Sequence, residues 1–280
     1  MIFRYISYLS IDVALGALAV GIYFWKILDR NIPFSWFIIF PFCVYGIYNL
    51  DHWFDIQSHQ NIQENPRRNF HLNHKTFLEY SILISLFSSF IIATLFLPLE
   101  LFLTGIGIGF LVILHLFILN SKKIDGIKLP TKELTIASIY TLGTAFPLII
   151  PSNWQFLNQF HITNIIFLYS IVWNNLIVNS ISDFNRDKIE GYSSLPLNLG
   201  LKISIALLSF SFVLGSILLV QWIFPYIHQH EPPYTILSIN VLLFSLIFPF
   251  ILLYASFQKL LKPDSIRILG EIPFILFFFA

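Results

Sequence analysis

Charge and cysteine are what this sequence has least of. Only 11% of its 280 residues are charged and Cys43 is the single cysteine, whereas a soluble globular domain carries about a quarter charged residues. One cysteine excludes a disulfide within the chain and any cysteine-rich metal site. The scarcity of charge excludes an ordinary soluble domain. What fills the space is apolar: 56% of residues are hydrophobic and 18% aromatic, and the mean hydropathy is +0.76. The class is therefore all-α, a polytopic membrane helical bundle. No A-x-A-like cleavage site follows the lone Arg4 of MIFRYISYLSIDVALG, so the first apolar run is expected to stay as a span. A formal net charge of +1 gives no reason to expect nucleic acid as a partner. No separate soluble segment interrupts the spans, so the expectation is a single transmembrane domain over residues 1–280.

With about 20 apolar residues per crossing, candidate spans fall near 6 to 28, 34 to 50, 77 to 98, 100 to 121, 132 to 151, 159 to 182, 202 to 225, 234 to 257 and 265 to 280. That is about nine. The last is the weakest, because ILGEIPFILFFFA holds Glu271 and Pro273; it is expected to be tilted, kinked or packed at the edge. Of the sixteen basic residues, all but Lys26 and Arg30 fall in alternate loops or at the N-terminus. By the positive-inside tendency that side is cytoplasmic, with the N-terminus in and the C-terminus out.

The chemistry concentrates at the ends of two spans. In NLIVNSISDFNRD, counting by fours gives Asn175, Asn179, Asp183 and Asp187, which stack on one face of an α-helix. Two carboxylates one turn apart, about 6 Å, repel by roughly 3 kcal/mol at an effective dielectric near 20. A cation between them relieves this. A lone Asp-x-x-x-Asp at a membrane boundary reads as an ordinary helix end, but the two asparagines carry the stripe into the membrane, where polar groups face a bundle interior or cavity. Asp51 and Asp55 repeat the spacing after FIIFPFCVYGIYNL, with His59 one turn further on and His52 alongside. They stand at the negative pole of their helix, a penalty that a bound cation removes. Both pairs lie on the cytoplasmic side, so they can face each other as a site for divalent metal and phosphate oxygens. Arg67, Arg68, Lys122, Lys123, Lys128 and Lys132 lie between the pairs in sequence. Singly each reads as a topology signal or a lipid contact; together they suit a diphosphate clamp.

Two further features point elsewhere. His71 and His74 read H-L-N-H, with His52 and His59 close in sequence, as in the histidine boxes of membrane di-iron oxygenases. The remaining histidines form no second box on that side, since His228 and His230 lie opposite. Asp12 is an intramembrane acid with no partner identifiable in sequence.

The paired motifs resemble the UbiA superfamily of intramembrane prenyltransferases, with Asp51-x-x-x-Asp55 after the second span and Asp183-x-x-x-Asp187 after the sixth. The run GYSSLPLNLG, 191 to 200, is similar to the ending of that family's second motif, and the Lys122 to Lys132 loop resembles its basic segment. The chain departs from the pattern at Ile47, where the family's first motif usually begins with Asn, and at NPRRNFHLNHK, where an Arg-Pro-Leu-like segment is common. These departures bear on the diphosphate and acceptor contacts near the first motif; the carboxylates are kept. The resemblance implies helices around a central cavity open to the cytoplasm and sideways to lipid, with Mg²⁺ held by Asp51, Asp55, Asp183 and Asp187. It implies an isoprenyl diphosphate, bound with help from Asn175, Asn179, Arg67, Arg68, Lys122, Lys123, Lys128 and Lys132, and prenyl transfer to a lipophilic acceptor such as a quinone or haem precursor. A non-catalytic or transport protein that retains a metal and diphosphate pocket is the alternative, and Ile47 with the altered 65 to 75 segment favours it.

Overall fold

The computed structural model describes residues 2–28, 32–58, 66–120, 131–149, 159–190, 194–228 and 234–280. Of the described residues 92% are helical, and none is in a strand. The elements are α1 (Ile2–Tyr8), α2 (Ile11–Leu28), α3 (Phe34–Ser58), α4 (Pro66–Asn73), α5 (Lys75–Phe96), α6 (Leu99–Asn120) and α7 (Thr131–Ile149). They continue as α8 (Gln159–Ser182), α9 (Phe184–Glu190), α10 (Leu195–Leu199), α11 (Leu201–His228), α12 (Tyr234–Phe257), α13 (Pro263–Gly270) and α14 (Ile272–Leu276), with a closing 3₁₀ turn, Phe277–Phe279. Six described helices are long and apolar enough to cross a membrane, namely α3, α5, α6, α8, α11 and α12. The fold is a helical membrane bundle. Of the other three expected spans, α2 has 18 residues, α7 has 19, and the last is in pieces.

Helix α8 is the axis. Its apolar span is 61% buried, against 22% for α5 and α6, and it packs on α7, α11 and α12. Phe167, Leu168, Ile171, Val172, Ile177 and Val178 of α8 form the main core with Val20 and Tyr23 of α2, Leu242 and Leu246 of α12, and Phe274 and Phe277. The outer helices turn Phe87, Leu95, Phe110 and Phe117 outward, an apolar girdle suited to lipid. Helices α3 and α5 meet at Gly46, where an added Cβ would stand 2.6 Å from Leu86 Cδ2 and 2.7 Å from Ser85 Oγ. Such close approach through small residues is how helices associate in lipid, where no hydrophobic drive distinguishes them from their solvent.

Two interruptions shape the interior. The first span breaks at Ser10, which takes φ 57° and is fully buried. A break frees backbone carbonyls that apolar surroundings cannot satisfy. Here the His71 ring donates to the Tyr8 carbonyl at 2.6 Å and Asn49 Nδ2 to the Leu9 carbonyl at 3.0 Å. Asp12 thus stands on the first turn of α2, accepting the Val13 N–H at 2.9 Å, at the positive pole of a helix rather than in mid-span. The last span breaks at Gly270 and Glu271, just before Pro273. Of the expected alternatives, tilted, kinked or packed at the edge, the break is a kink, and Ile266, Phe274 and Phe277 are in the core.

Candidate functional site

The α3 helix runs to Ser58, two turns past the end of the apolar run, so Asp51 and Asp55 are helical and not in a loop. At the other motif, Asp183 ends α8 and Asp187 lies in the first turn of α9. The Asp183 N–H bonds the Asn179 carbonyl at 3.0 Å and the Asp187 N–H bonds the Asp183 carbonyl at 2.8 Å. The helical register therefore carries through the junction, and Asn175, Asn179, Asp183 and Asp187 do share a face.

That face lines a polar cavity of about 200 Å³, and Asp51 lines the same cavity from α3. Arg67 and Arg68 of α4 and Lys132 of α7 border it too. The side chain of Asp55 lies outside the described part, as do Lys122, Lys123 and Lys128. Sequence reasoning did not bring in Glu133, Arg186, Arg267 or Glu271, all of which line the cavity. Arg186 follows Asp183 by three residues, which was a usable signal. Arg267 and Glu271 had none, because only the fold carries the broken last span to the end of α8.

Glu133, 3% exposed, ties three elements together. Its Oε1 accepts the Ser180 hydroxyl at 2.6 Å and the Leu195 N–H at 2.9 Å, which seats the LPLNLG turn against α7 and α8. Glu271 Oε1 accepts from Asn175 Nδ2 at 3.4 Å. That contact needs Gly270, since a Cβ there would meet Asn175 Oδ1 at 2.5 Å. Arg267 pairs with Asp183 Oδ2. Arg186 lies 3.3 Å from Asp183 Oδ1 and 3.2 Å from Asp264.

Among the described residues the histidines do not form a box; His59 lies outside them. His52 and His71 stack at 5.0 Å, and His52 contacts Arg67. His71 is committed to the Tyr8 carbonyl, while the exposed His74 bonds the Phe70 carbonyl at 2.9 Å. Among the described residues no three His, Cys, Asp or Glu side chains gather closely enough to cage an ion. Magnesium rarely asks for such a cage; it takes one or two carboxylates and completes its shell with waters and substrate phosphates. Among the described residues, the buried wall oxygens without a hydrogen-bond partner include Asn179 Oδ1 and Glu133 Oε2. With Asp183 and Asp187 on successive turns, the hard-oxygen donor set fits Mg²⁺ brought in with a diphosphate.

Burial, and after it the charge of Asp183, push the Asp187 carboxyl up to about 6, against the pull of Ser194, Lys132 and Arg267. Since the raised value favours the neutral acid, its contribution to stability is fully present below the ordinary carboxylate value and is lost as pH rises through about 6. Melting curves of metal-free protein at pH 5 and pH 7.5 check this. Asp187→Asn is expected to flatten the difference and to melt a few degrees above wild type at pH 7.5; a lower melting point there would show that the charge is not a burden. A cation bound at Asp187 would compete with the proton and be held less tightly as pH drops below about 6.

A second cavity, about 300 Å³, adjoins the first. Its walls are Trp36, Phe40, Val44 and Ile47 of α3, Leu86 and Phe90 of α5, Gly105 and Gly109 of α6, and Gly143 of α7. Ile47, the departure from the family pattern, is thus apolar wall. Asn49 lies elsewhere, fully buried and donating to the Tyr45 and Leu9 carbonyls. Tyr48, Asp51, Ile136 and Tyr140 line both cavities. Compared with known proteins, the chain matches no family model, no curated protein and no solved structure.

Proposed function

We propose that this chain is an Mg²⁺-dependent intramembrane prenyltransferase of the UbiA kind, moving a prenyl group from an isoprenyl diphosphate to a lipophilic acceptor. The observation that carries the reading is the shared wall of the two cavities. A chamber lined by acids and guanidinium groups opens beside a greasy one at Tyr48, Asp51 and Tyr140, which is the shape of a ligand with a charged head and an apolar tail. In this reading nine helical segments enclose the site, and the N-terminus and the polar chamber face the cytoplasm.

Asp183, Asp187 and Asn179, together with Asp51 and Asp55, would hold the metal. When bound, Mg²⁺ supplies charge neutralisation to the departing diphosphate. Arg67, Arg68, Lys132 and Arg267 hold the phosphate oxygens. The allylic C–O bond breaks with its electron pair leaving on diphosphate. The faces of Tyr48 and Tyr140 shield the positive carbon. The acceptor's nucleophile bonds to that carbon, and its proton passes to a carboxylate of the polar chamber.

The second reading is a binding or transport protein that keeps the pocket without turnover. Ile47 in the apolar wall and the double pairing of Asp183 with Arg267 and Arg186 favour it. Diphosphate release from farnesyl and geranylgeranyl diphosphate separates the two. The measurement uses purified protein in lipid, with and without Mg²⁺ and with a lipid extract as acceptor source. Metal-dependent release with a new prenylated lipid is the expected result; binding without release selects the second reading.

A further inference from the structure

The acid at the centre of the site is already matched by cations of the chain itself. Asp183 has a side chain only 7% exposed, and Arg267 and Arg186 approach its two oxygens from different elements. Arg186 is anchored in turn by Asp264, both terminal nitrogens lying 3.2 Å from one oxygen. Asp264 and Arg267 stand three residues apart on α13, so this helix lays an acid and a base across the turn that carries Asp183 and Arg186. The four groups alternate in sign, Asp264, Arg186, Asp183, Arg267. Arg186 is shared between two carboxylates. Arg267 is different: its side chain is 38% exposed and borders the polar cavity, so it can turn toward an anion without leaving the site.

We propose that Arg267 is an exchangeable counter-ion, holding Asp183 until a diphosphate enters and then moving to the diphosphate while a divalent cation takes the carboxylate. The proposal rests on the reading of the cavity as a metal and diphosphate site. A dication arriving alone meets an Asp183 whose charge is already spent on two guanidinium groups. A diphosphate supplies a better partner for Arg267, because a guanidinium fork binds phosphate oxygens bidentately. The freed carboxylate lines the same cavity as Asn179, whose buried Oδ1 has no hydrogen-bond partner among the described residues. Metal and diphosphate thus bind as a cooperative pair, each raising the other's affinity by the same factor. Neither is held well alone, which keeps the site from filling with metal before substrate arrives.

The test measures Mn²⁺ binding from the free-ion resonance signal, on full-length protein in lipid nanodiscs, with and without inorganic diphosphate. Wild type is expected to bind Mn²⁺ at least about ten-fold more tightly when diphosphate is present, within the usual range of coupling factors. Arg267→Gln is expected to bind Mn²⁺ alone about ten-fold more tightly than wild type, and diphosphate then adds little. Arg267→Lys, which keeps the charge, stays near wild type for Mn²⁺ alone. An Arg267→Gln protein whose affinity for Mn²⁺ alone is unchanged or weaker overturns the exchange. If that variant does not fold, Arg186→Gln removes the other guanidinium and must shift affinity the same way. The wider reading fails separately: an Arg267→Gln effect without prenyl release by wild type leaves the exchange standing in a binding protein. Release with no Arg267→Gln effect leaves the enzyme and removes the exchange.

Discussion

Asp183→Ala and Asp183→Asn are expected to lower metal-dependent diphosphate release by about 10³-fold, the scale on which removing one group that stabilises developing charge acts. Asp183 stands where α8 ends, on the polar cavity, between two guanidinium groups. The alanine variant also leaves Arg267 and Arg186 short of a partner, and breaking a buried ion pair costs about 3–5 kcal/mol. The penalty here is smaller, since Arg267 is partly exposed and Arg186 keeps Asp264. Asn keeps the shape and one acceptor oxygen, so Asp183→Asn separates chemistry from folding. It should melt close to wild type while release is lost. Asp51→Ala, on the opposite wall, should lose release as well. Release that survives in both the Asp183 and Asp51 variants would remove the metal-holding role from this cavity.

The spacing rule explains why Asp183 could be found at all. Four polar residues at steps of four are visible in sequence because the helix supplies the geometry; the backbone bonds from Asn179 through Asp187 show that register continuing past the end of α8. The positive-inside pattern led to the expectation that Asp51 shares a side with Asp183, and Asp51 does line the cavity that Asp183 lines, while the side chain of Asp55 lies outside the described part. Local periodicity is blind, however, to contacts set by tertiary packing. Glu271 looked like a flaw in a weak last span and Arg267 like one more basic residue of the cytoplasmic side, yet they meet Asn175 and Asp183, residues 96 and 84 positions earlier in the chain. Asp12 looked stranded because nothing in the sequence announces the break at Ser10; the residues that satisfy that break, Asn49 and His71, come from two other helices. Hydropathy sees an apolar run at 265 to 280, and only packing shows three short pieces folded into the core.

The apolar cavity gives the other large effect. Gly105 and Gly109, one turn apart on α6, both line it, and a Cβ built on either meets no atom within 4 Å. Glycine costs stability in a helix interior, about 1 kcal/mol relative to alanine, so no local preference of the helix calls for these residues. What they leave is room. In the proposed enzyme that room holds the far part of the prenyl chain, while Tyr48 and Asp51 mark the boundary with the charged head. Gly109→Phe puts a ring into the space. A single methylene in an apolar pocket is worth about 10- to 200-fold in selectivity, and a prenyl unit is several times larger. The longest isoprenyl diphosphate that wild type accepts should therefore lose about 100-fold or more in kcat/KM. Geranyl diphosphate should change by less than about ten-fold, which inverts the preference. Release assays across a series of chain lengths read this directly. Equal loss for every chain length would mean that the ring disturbs the fold or the head chamber. An unchanged series would mean that the tail lies elsewhere, and the apolar cavity would then belong to the acceptor.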